Sequence, residues 1–358
     1  MIKFIIKKIF YSFFVLFGVL SLVFFLFSVL PGDPARMMLD QREDADQIKV
    51  INKKYAFDRP IFDQYILYVN DVSPISIHYE SSEAFTSLSS NKYKYIKLIP
   101  FKNYSLVLKL PYLRDSFVSV GTPVKTIILR TFKTTFVLAL SSIILAFFLG
   151  IILGVISAIF KNSFIDKIIL FISVLGMSLP SFFSAIIIAW VFGFLLHNYT
   201  GLNMTGSLYE VDDYGRGSFI QIKNLILPAI TLGIRPLSVI IQLCRNSLLD
   251  VLSQDYIRTA FAKGLNNFIV IFKHALKNAL NPVITAVSGW FASMLAGAVF
   301  VEYIFGWNGI GKEIVDALNK MDLPVVMGAI LFISFLFVII NIIVDVIYAW
   351  LDPRIRIN

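Results

Sequence analysis

Six long runs of apolar residues dominate the chain and constrain its fold more than any other feature. A helix needs about 20 such residues to cross the hydrocarbon core of a bilayer. The first run reaches that length without a charge, the third is interrupted by Pro180, and the fourth contains Arg235 and two prolines. The runs cover residues 9–30, 134–160, 168–196, 224–244, 278–301 and 323–344. We therefore predict an all-α polytopic membrane protein with six transmembrane helices.

The composition favours lipid as the solvent and argues against other protein classes. Only 15% of the residues are charged, whereas an ordinary soluble domain has about a quarter. The net charge of +9 would also suit a nucleic-acid-binding protein, but the basic residues lie in short loops between apolar runs, where membrane orientation explains them. The single cysteine and three scattered histidines provide no disulfide and no metal cluster. We expect no nucleic-acid partner, no metal site and no catalytic residues.

The distribution of basic residues predicts the orientation of the helices. Lysines and arginines concentrate before the first run, in the loop 161–167, in the segment 245–277 and after the last run. The loops 197–223 and 302–322 hold few. Because basic loops stay in the cytoplasm, we predict a multi-pass protein of the bacterial inner membrane with both termini cytoplasmic.

The chain divides into three predicted parts. Residues 1–30 form the cytoplasmic N-terminus and the first helix, residues 31–133 an extracytoplasmic segment, and residues 134–358 the transmembrane core. Within the second part, residues 73–121 are rich in Ser, Tyr and Lys and contain near-alternating apolar stretches such as 104–110. This alternation predicts one or two short β-strands. An irregular solvated loop is equally consistent with it.

The loop 245–278 predicts two short amphipathic helices. Two sets of apolar residues recur at helical spacing: Leu248, Leu249, Leu252 and Tyr256, and then Phe268, Ile271, Phe272 and Ala275. Between them lies 264–267 (GLNN), in which the glycine can end one helix and an asparagine can cap the next. The physics alone leaves open whether these helices bind a partner or only lie at the membrane interface.

Five short motifs make the sequence recognisable. They are 254–265 (QDYIRTAFAKGL), 274–280 (HALKNAL), 351–356 (LDPRIR), 30–35 (LPGDPA) and 176–181 (GMSLPS). Together they resemble the dipeptide/oligopeptide (peptide/nickel) ABC importer permeases, over nearly the whole chain. The resemblance implies the six-helix fold of type I ABC importers and a pathway for di- or oligopeptides or similar small solutes.

The resemblance also implies partners and a site. ATP and Mg would be bound by two separate ATPase subunits, with no cofactor on this chain. A second homologous permease, an extracytoplasmic solute-binding protein and membrane lipid would complete the assembly. The loop 245–278 would form the contact with an ATPase. Its implied coupling residues are Asp255, Tyr256, Arg258, Thr259, Ala260, Ala262, Lys263, Gly264 and His274.

Two features depart from the family pattern, and a third position, Arg258, departs from the general importer signature in a way that is common in the peptide branch. Arg258 stands where the general importer signature has an acid, so the contact made by that acid does not carry over. Residues 73–121 read as an insertion, and the turn 305–311 lacks the usual proline. The last two fall on the predicted outer side, where substrate is delivered, so the identity of the cargo is less constrained than the fold.

Three further interpretations complete the sequence-based hypothesis. Residues 306–313 (GWNGIGKE) approach a phosphate-binding loop, but a glutamate replaces the hydroxyl that binds magnesium. Arg235 and Pro180 are candidate pathway-lining residues, Arg235 because a charge at membrane depth must face protein or water. An ion-coupled secondary transporter is the alternative. It would need carboxylates inside the spans, and the central parts of the six runs contain none.

Overall fold

A computed structural model describes residues 2–28, 57–80, 86–88, 93–119, 121–211 and 217–351, with positions 46, 48, 49, 52 and 55. Two of the five sequence motifs, 30–35 and almost all of 351–356, lie outside these residues. Contacts divide the chain into two compact units. The larger unit comprises Met1–Lys8, Thr131–Glu313 and Leu336–Asn358, and the smaller comprises Ile9–Arg130 and Ile314–Phe335.

The described helices confirm the predicted membrane architecture. Four segments are long and apolar enough to span a bilayer, namely Ile6–Ser28 of α1 (Ile2–Ser28), α3 (Val124–Ile159), α7 (Lys223–Leu252) and Leu323–Val346 of α14 (Leu323–Leu351). Two bent pairs raise the number to six if each pair is one span. The first pair joins α4 (Phe164–Ser178) to Ser181–Leu195, and the second joins Asn267–Ala279 to Asn281–Ala296.

The shorter elements follow the same chain order. They are α2 (Ile61–Val72), α5 (Ser181–Ile188), α6 (His197–Thr200), α8 (Asp255–Ala262), α9 (Asn267–Ile269), α10 (Leu276–Ala279), α11 (Asn281–Gly297), α12 (Val299–Phe305) and α13 (Ile310–Asn319). Two π-helical segments, Ala189–Leu195 and Val270–Ala275, continue α5 and join α9 to α10.

Two helices extend beyond the apolar runs that predicted them. Helix α3 begins at Val124 instead of residue 134. Residues 124–133 are amphipathic: Lys125 and Arg130 are exposed, while Ile127 and Ile128 are buried. Helix α7 continues to Leu252. The apolar residues at 248–252 therefore belong to the end of this long helix, and the separate loop helix starts only at Asp255.

Proline acts differently at two places in the chain. At Pro180 the third apolar run divides into two helices that meet at 110°. Leu179 and Pro180 both have extended backbone, with ψ of 132° and 141°, as expected for a residue before proline and for a proline that starts a helix. Pro228 and Pro236 instead lie within α7. The third run thus forms two helices with a sharp bend between them and not a single kinked helix.

The segment 73–121 contains a three-stranded antiparallel sheet, which confirms the strand prediction and adds a strand to it. Strands β1 (Ile75–Tyr79), β2 (Tyr95–Pro100) and β3 (Tyr104–Lys109) are ordered β1-β3-β2. The alternation seen in the sequence puts Ser105, Val107 and Lys109 on the buried face of β3. A second, two-stranded sheet pairs β4 (Tyr209–Val211) with β5 (Ser218–Ile220) in the larger unit.

The interior of the smaller unit is partly ionic. The Arg114 Nε atom lies 3.0 Å from the Asp71 carboxylate, and both side chains are buried. Tyr93 donates a hydrogen bond to the same carboxylate at 2.5 Å, and the Lys109 ammonium donates to the backbone oxygen of Asp71 at 2.7 Å. Buried charges need such partners, so this network anchors helix α2 to the sheet.

Helix α7 forms the centre of the larger unit, and small residues let its neighbours approach closely. A Cβ atom at Gly154 of α3 would lie 2.7 Å from the Cys244 Cβ, and one at Gly176 of α4 would lie 2.5 Å from the Ser238 Oγ. Such contacts leave no room for a larger side chain and are typical of helix packing in membranes.

Candidate functional site

The loop after α7 forms a helix, a glycine turn and a second helix. Helix α8 ends at Ala262, and Gly264 has a φ of +82°, in the left-handed region that ends helices. The Asn266 side chain then accepts a hydrogen bond from the Ile269 amide at 2.9 Å and caps the next helix. The glycine that ends one helix and the asparagine that caps the next are therefore those predicted from the sequence.

One face of α8 is anchored inside the larger unit. Ile257 is fully buried and Ala260 nearly so, in a cluster with Ala158 of α3, Leu248 of α7 and Val270. Ala260 therefore faces the interior of this chain, where α8 packs against the segment Val270–Ala275. Among the residues that sequence analysis singled out, it differs in this respect from Ala262, which is exposed.

The opposite face is exposed and carries aromatic and basic groups. We call it the loop surface and define it by its exposed residues, Asp255, Tyr256, Arg258, Thr259, Phe261, Ala262, Lys263, Phe268 and Phe272. Phe268 is 68% exposed, and its ring centroid lies 4.6 Å from that of Phe272. Gly264 lies between the two helices, and His274 is half-buried beside them. Exposed aromatic residues next to cations are characteristic of protein-binding surfaces.

A buried ion pair lies at the same end of α7. The Arg245 Nε and Nη2 atoms donate to the two Asp166 carboxylate oxygens at 2.8 and 2.7 Å. Ser157 at the end of α3 and the backbone amide of Asn162 also donate to this carboxylate. The Asp166 carboxylate thus joins three helices, α3, α4 and α7.

The two candidate pathway residues lie apart from the loop surface. Arg235 is exposed in the middle of α7, and the described residues contain no hydrogen-bond or ion-pair partner for it. Gln242, two helical turns further along α7, donates a hydrogen bond to Ser173 of α4 at 3.2 Å. Pro180 is exposed at the break between α4 and α5. Helices α4 and α7 therefore carry polar groups within segments that are candidates for crossing the membrane.

A buried carboxylate organises the turn that resembles a phosphate-binding loop. Glu302 of α12 accepts hydrogen bonds from the Gly311 amide at 2.7 Å, the Lys312 amide at 3.2 Å and the Thr135 hydroxyl at 2.6 Å. The Thr135 oxygen in turn accepts from the Ile310 amide at 2.8 Å. The amides that would bind a phosphate are thus occupied by protein groups, which supports the rejection of a nucleotide site.

The environment of Glu302 alters its protonation. Burial raises the pKa of this carboxyl to about 7, while the hydrogen bonds from Thr135, Gly311 and Lys312 act in the opposite direction. Trp307 is fully buried beside it and donates from its indole nitrogen to the Thr134 carbonyl at 3.1 Å. The start of α13 is therefore fastened to α3 by side chains that are far apart in sequence.

Asp166, Thr135 and Glu302 were not among the residues predicted from the sequence. Asp166 and Glu302 lie immediately outside two of the apolar runs, where a charge is ordinary. Their only local signal is proximity to a helix end. Asp345, directly after the sixth apolar run, is paired with Lys8 near the start of α1.

The sequence matches a known family along most of its length. The family described as binding-protein-dependent transport system inner membrane component matches residues 150–357, and its N-terminal part matches residues 1–83. The chain belongs to this family. It is therefore the permease subunit of an ATP-driven importer, an inner-membrane component of a bacterial ABC transporter.

Similar proteins agree with this membership. The dipeptide transport system permease protein DppB of Alkalihalophilus pseudofirmus is 33% identical, with 96% of each chain covered. The di/tripeptide transport system permease protein DppB of Pseudomonas aeruginosa is 32% identical over 95% of this chain and 94% of its own length. The glutathione transport system permease protein GsiC of Escherichia coli K12 is 31% identical, with 99% of each chain covered.

The fold also resembles that of a solved transporter. A chain of the MetNI methionine ABC transporter, in an inward-facing form, superposes with a TM-score of 0.52 at 14% identity. The match covers 64% of this permease and 97% of that chain. At this identity the likeness supports the fold and not the cargo.

Proposed function

We propose that this permease forms the pathway for di- or oligopeptides or a similar small solute such as glutathione. The observation that carries the proposal is similarity over nearly the full chain to permeases named for dipeptides, di/tripeptides and glutathione. These cargoes are hydrophilic and bear at least one carboxylate. A pathway for them needs polar groups at bilayer depth, and the candidate membrane segments α4 and α7 carry polar groups.

Arg235 is the proposed pathway residue with the clearest physical argument. A charged side chain at the centre of a membrane helix must face water or protein, because burial in lipid costs several kcal/mol. Arg235 is exposed in this chain, so we infer that it faces the aqueous pathway and attracts the carboxylate of the cargo. Pro180, at the exposed break of the third span, is proposed to line the same pathway.

Uptake of paired substrates tests this role. Vesicles containing the assembled importer are given a dipeptide with a free C-terminus or its C-terminal amide, with wild type, Arg235→Gln and Arg235→Lys compared. We expect Arg235→Gln to raise KM for the free dipeptide about tenfold, the equivalent of one charge-assisted hydrogen bond, and to leave the amide unaffected. Equal loss for both substrates would refute a contact with the carboxylate.

The loop surface is proposed to dock on a separate ATPase subunit, which binds ATP and Mg. The residues proposed for this contact are Asp255, Tyr256, Arg258, Thr259, Ala262, Lys263 and Gly264, with Ala260 and His274 supporting them from within. The firmly buried face of α8 supports this role, because a helix must be anchored to transmit movement. Two such ATPases, a second homologous permease and a solute-binding protein complete the proposed importer.

The proposed orientation has support near the chain ends. Lys8 near the start of α1 is paired with Asp345 near the end of α14. This contact brings the beginning of the first helix beside the end of the last, which supports the proposal that both termini lie on one side of the membrane. Because basic residues concentrate in the loops on that side, we infer that it is the cytoplasm. There the loop surface would contact an ATPase subunit.

Co-purification from membranes tests the docking surface. Phe268→Ser removes the more exposed ring of the pair that Phe268 forms with Phe272. The control is Phe101→Ser, which removes a ring whose centroid also lies 4.6 Å from that of a neighbouring ring, here Tyr104. We expect Phe268→Ser to lose most of the bound ATPase, since exposed aromatic anchors contribute about 2 kcal/mol or more to an interface. Equal ATPase recovery in both variants would contradict the proposal.

A further inference from the structure

The buried ion pair of Asp166 and Arg245 connects the ends of three helices. Both hydrogen bonds of the guanidinium fork are shorter than 3 Å, and the side chains are only 3% and 14% exposed. The remaining capacity of the carboxylate is filled by Ser157 and by the amide of Asn162. Asn162 has a φ of +64°, in the left-handed region that asparagine adopts more readily than most residues. The turn between α3 and α4 is thus wrapped around the carboxylate.

Arg245 stands directly before the part of α7 that leads to the loop surface. Leu248, one turn further on, is fully buried in the cluster that holds Ile257 of α8. Helix α7 ends at Leu252 and α8 begins at Asp255. A displacement of α8 therefore reaches Arg245 through a short connection and a packed apolar cluster.

Asp166 stands at the start of α4, which packs on α7 along much of its length. Gly176 of α4 admits the Ser238 side chain of α7, and Gln242 donates a hydrogen bond to Ser173. Packed helices of this kind move as one body. The same stretch of α7 carries Arg235, so the ion pair lies between the loop surface and the proposed pathway.

We propose that Asp166 and Arg245 are positioning residues for transport, which make α3, α4 and α7 follow the movement of α8. The inference rests on the proposed docking of α8 to an ATPase. With the pair intact, closure of the ATPases moves the ends of the three helices together. With the pair broken, α8 still docks, but α4 and the α3–α4 turn no longer follow α7, and ATP hydrolysis separates from transport.

Simultaneous measurement of ATP hydrolysis and uptake tests the inference. The complete importer is reconstituted with wild type, Asp166→Asn or Arg245→Gln, and a dipeptide is supplied with its binding protein. Lys161→Gln is the matched control, because it removes an exposed cation from the same α3–α4 turn. We expect the dipeptide imported per ATP to fall about two- to thirtyfold in both variants, a range typical of disrupted coupling, and to stay at the wild-type value in the control.

The ratio distinguishes coupling from simple loss of folded protein. A smaller number of assembled complexes would lower ATP hydrolysis and uptake in the same proportion, so the dipeptide imported per ATP would not change. An unchanged ratio in the two variants refutes the inference. Arg245→Lys, which keeps the charge but not the two-pronged geometry, should give an intermediate ratio. The double variant Asp166→Asn/Arg245→Gln should be no worse than the poorer single variant, because the two residues act through each other.

Failure of the proposed function itself has a different signature. If the wild type recruits no ATPase, docking of α8 is wrong. If the wild type recruits an ATPase and hydrolyses ATP but imports no dipeptide, the proposed cargo is wrong. If the wild type transports and the two variants keep its ratio, only the role of the ion pair is wrong.

Discussion

Replacement of Glu302 should loosen the turn at the start of α13. In Glu302→Ala the Gly311 amide and the Thr135 hydroxyl lose acceptors that lie 2.7 and 2.6 Å away, and the Lys312 amide loses one at 3.2 Å. The site is fully closed to solvent, so water cannot replace the carboxylate without rearrangement.

The expected size follows from these contacts. A buried donor that loses its acceptor costs about 1–3 kcal/mol, and a carboxylate at a helix N-terminus adds roughly 0.3–1 kcal/mol. The Thr135 hydroxyl can turn toward the Thr131 carbonyl, 3.4 Å away, which recovers part of the loss. Removal of a buried carboxyl group also relieves its desolvation. We expect a net destabilisation of the turn of about 3 kcal/mol.

Hydrogen exchange of the backbone measures this quantity locally. A change of about 3 kcal/mol in local opening corresponds to roughly 100-fold faster exchange in peptides that cover residues 309–313. Glu302→Gln retains one acceptor oxygen and should accelerate exchange about tenfold. Peptides from the loop 254–266 provide the internal reference, because they should exchange as in the wild type.

The outcome that refutes the argument is specific. If exchange of residues 309–313 is as slow in Glu302→Ala as in the wild type, the carboxylate does not hold the turn. If exchange accelerates equally throughout the protein, the substitution has destabilised the whole fold and the local account is wrong.

Three further predictions follow from buried groups and close packing. Because the folded pKa of Glu302 is about 7 and its ordinary value is 4.5, the folded state binds more protons between these limits. Stability should fall by up to about 3 kcal/mol as the pH rises from ~4.5 to ~7, and the difference between the melting curves of wild type and Glu302→Gln should show it. Gly176→Val should destabilise the protein by about 1–3 kcal/mol, because the new Cβ atom would lie 2.5 Å from the Ser238 Oγ atom of α7. Gly289→Ala should leave the melting temperature unchanged, because the space around Gly289 is open. Asp71→Asn breaks a buried ion pair and should cost about 3–5 kcal/mol, seen as faster proteolysis of residues 57–119, whereas Lys97→Gln breaks an exposed pair and should leave proteolysis unchanged.

Local sequence patterns predicted much of the secondary structure. The apolar runs predicted helices because a backbone in lipid must satisfy its own hydrogen bonds. The alternation in 104–110 predicted a strand, and Gly264 and Asn266 predicted a turn and a cap, because each pattern acts through neighbouring residues. The same reasoning was incomplete at the ends of α3 and α7, where amphipathic turns extend a helix past its apolar run.

The apolar runs and short motifs are enough to establish that this chain crosses a membrane, where its helices run and which family it resembles. Which buried polar groups meet depends on the packing of segments that are distant in the sequence. Arg245 pairs with Asp166 across 79 residues and Glu302 with Thr135 across 167, and no local pattern encodes such distances. Tertiary packing also determines that Pro180 separates two helices while Pro228 lies within one. The physical reason is that a helix forms from its own hydrogen bonds, whereas a buried polar group or an interrupted backbone is stabilised only by what other segments pack against it.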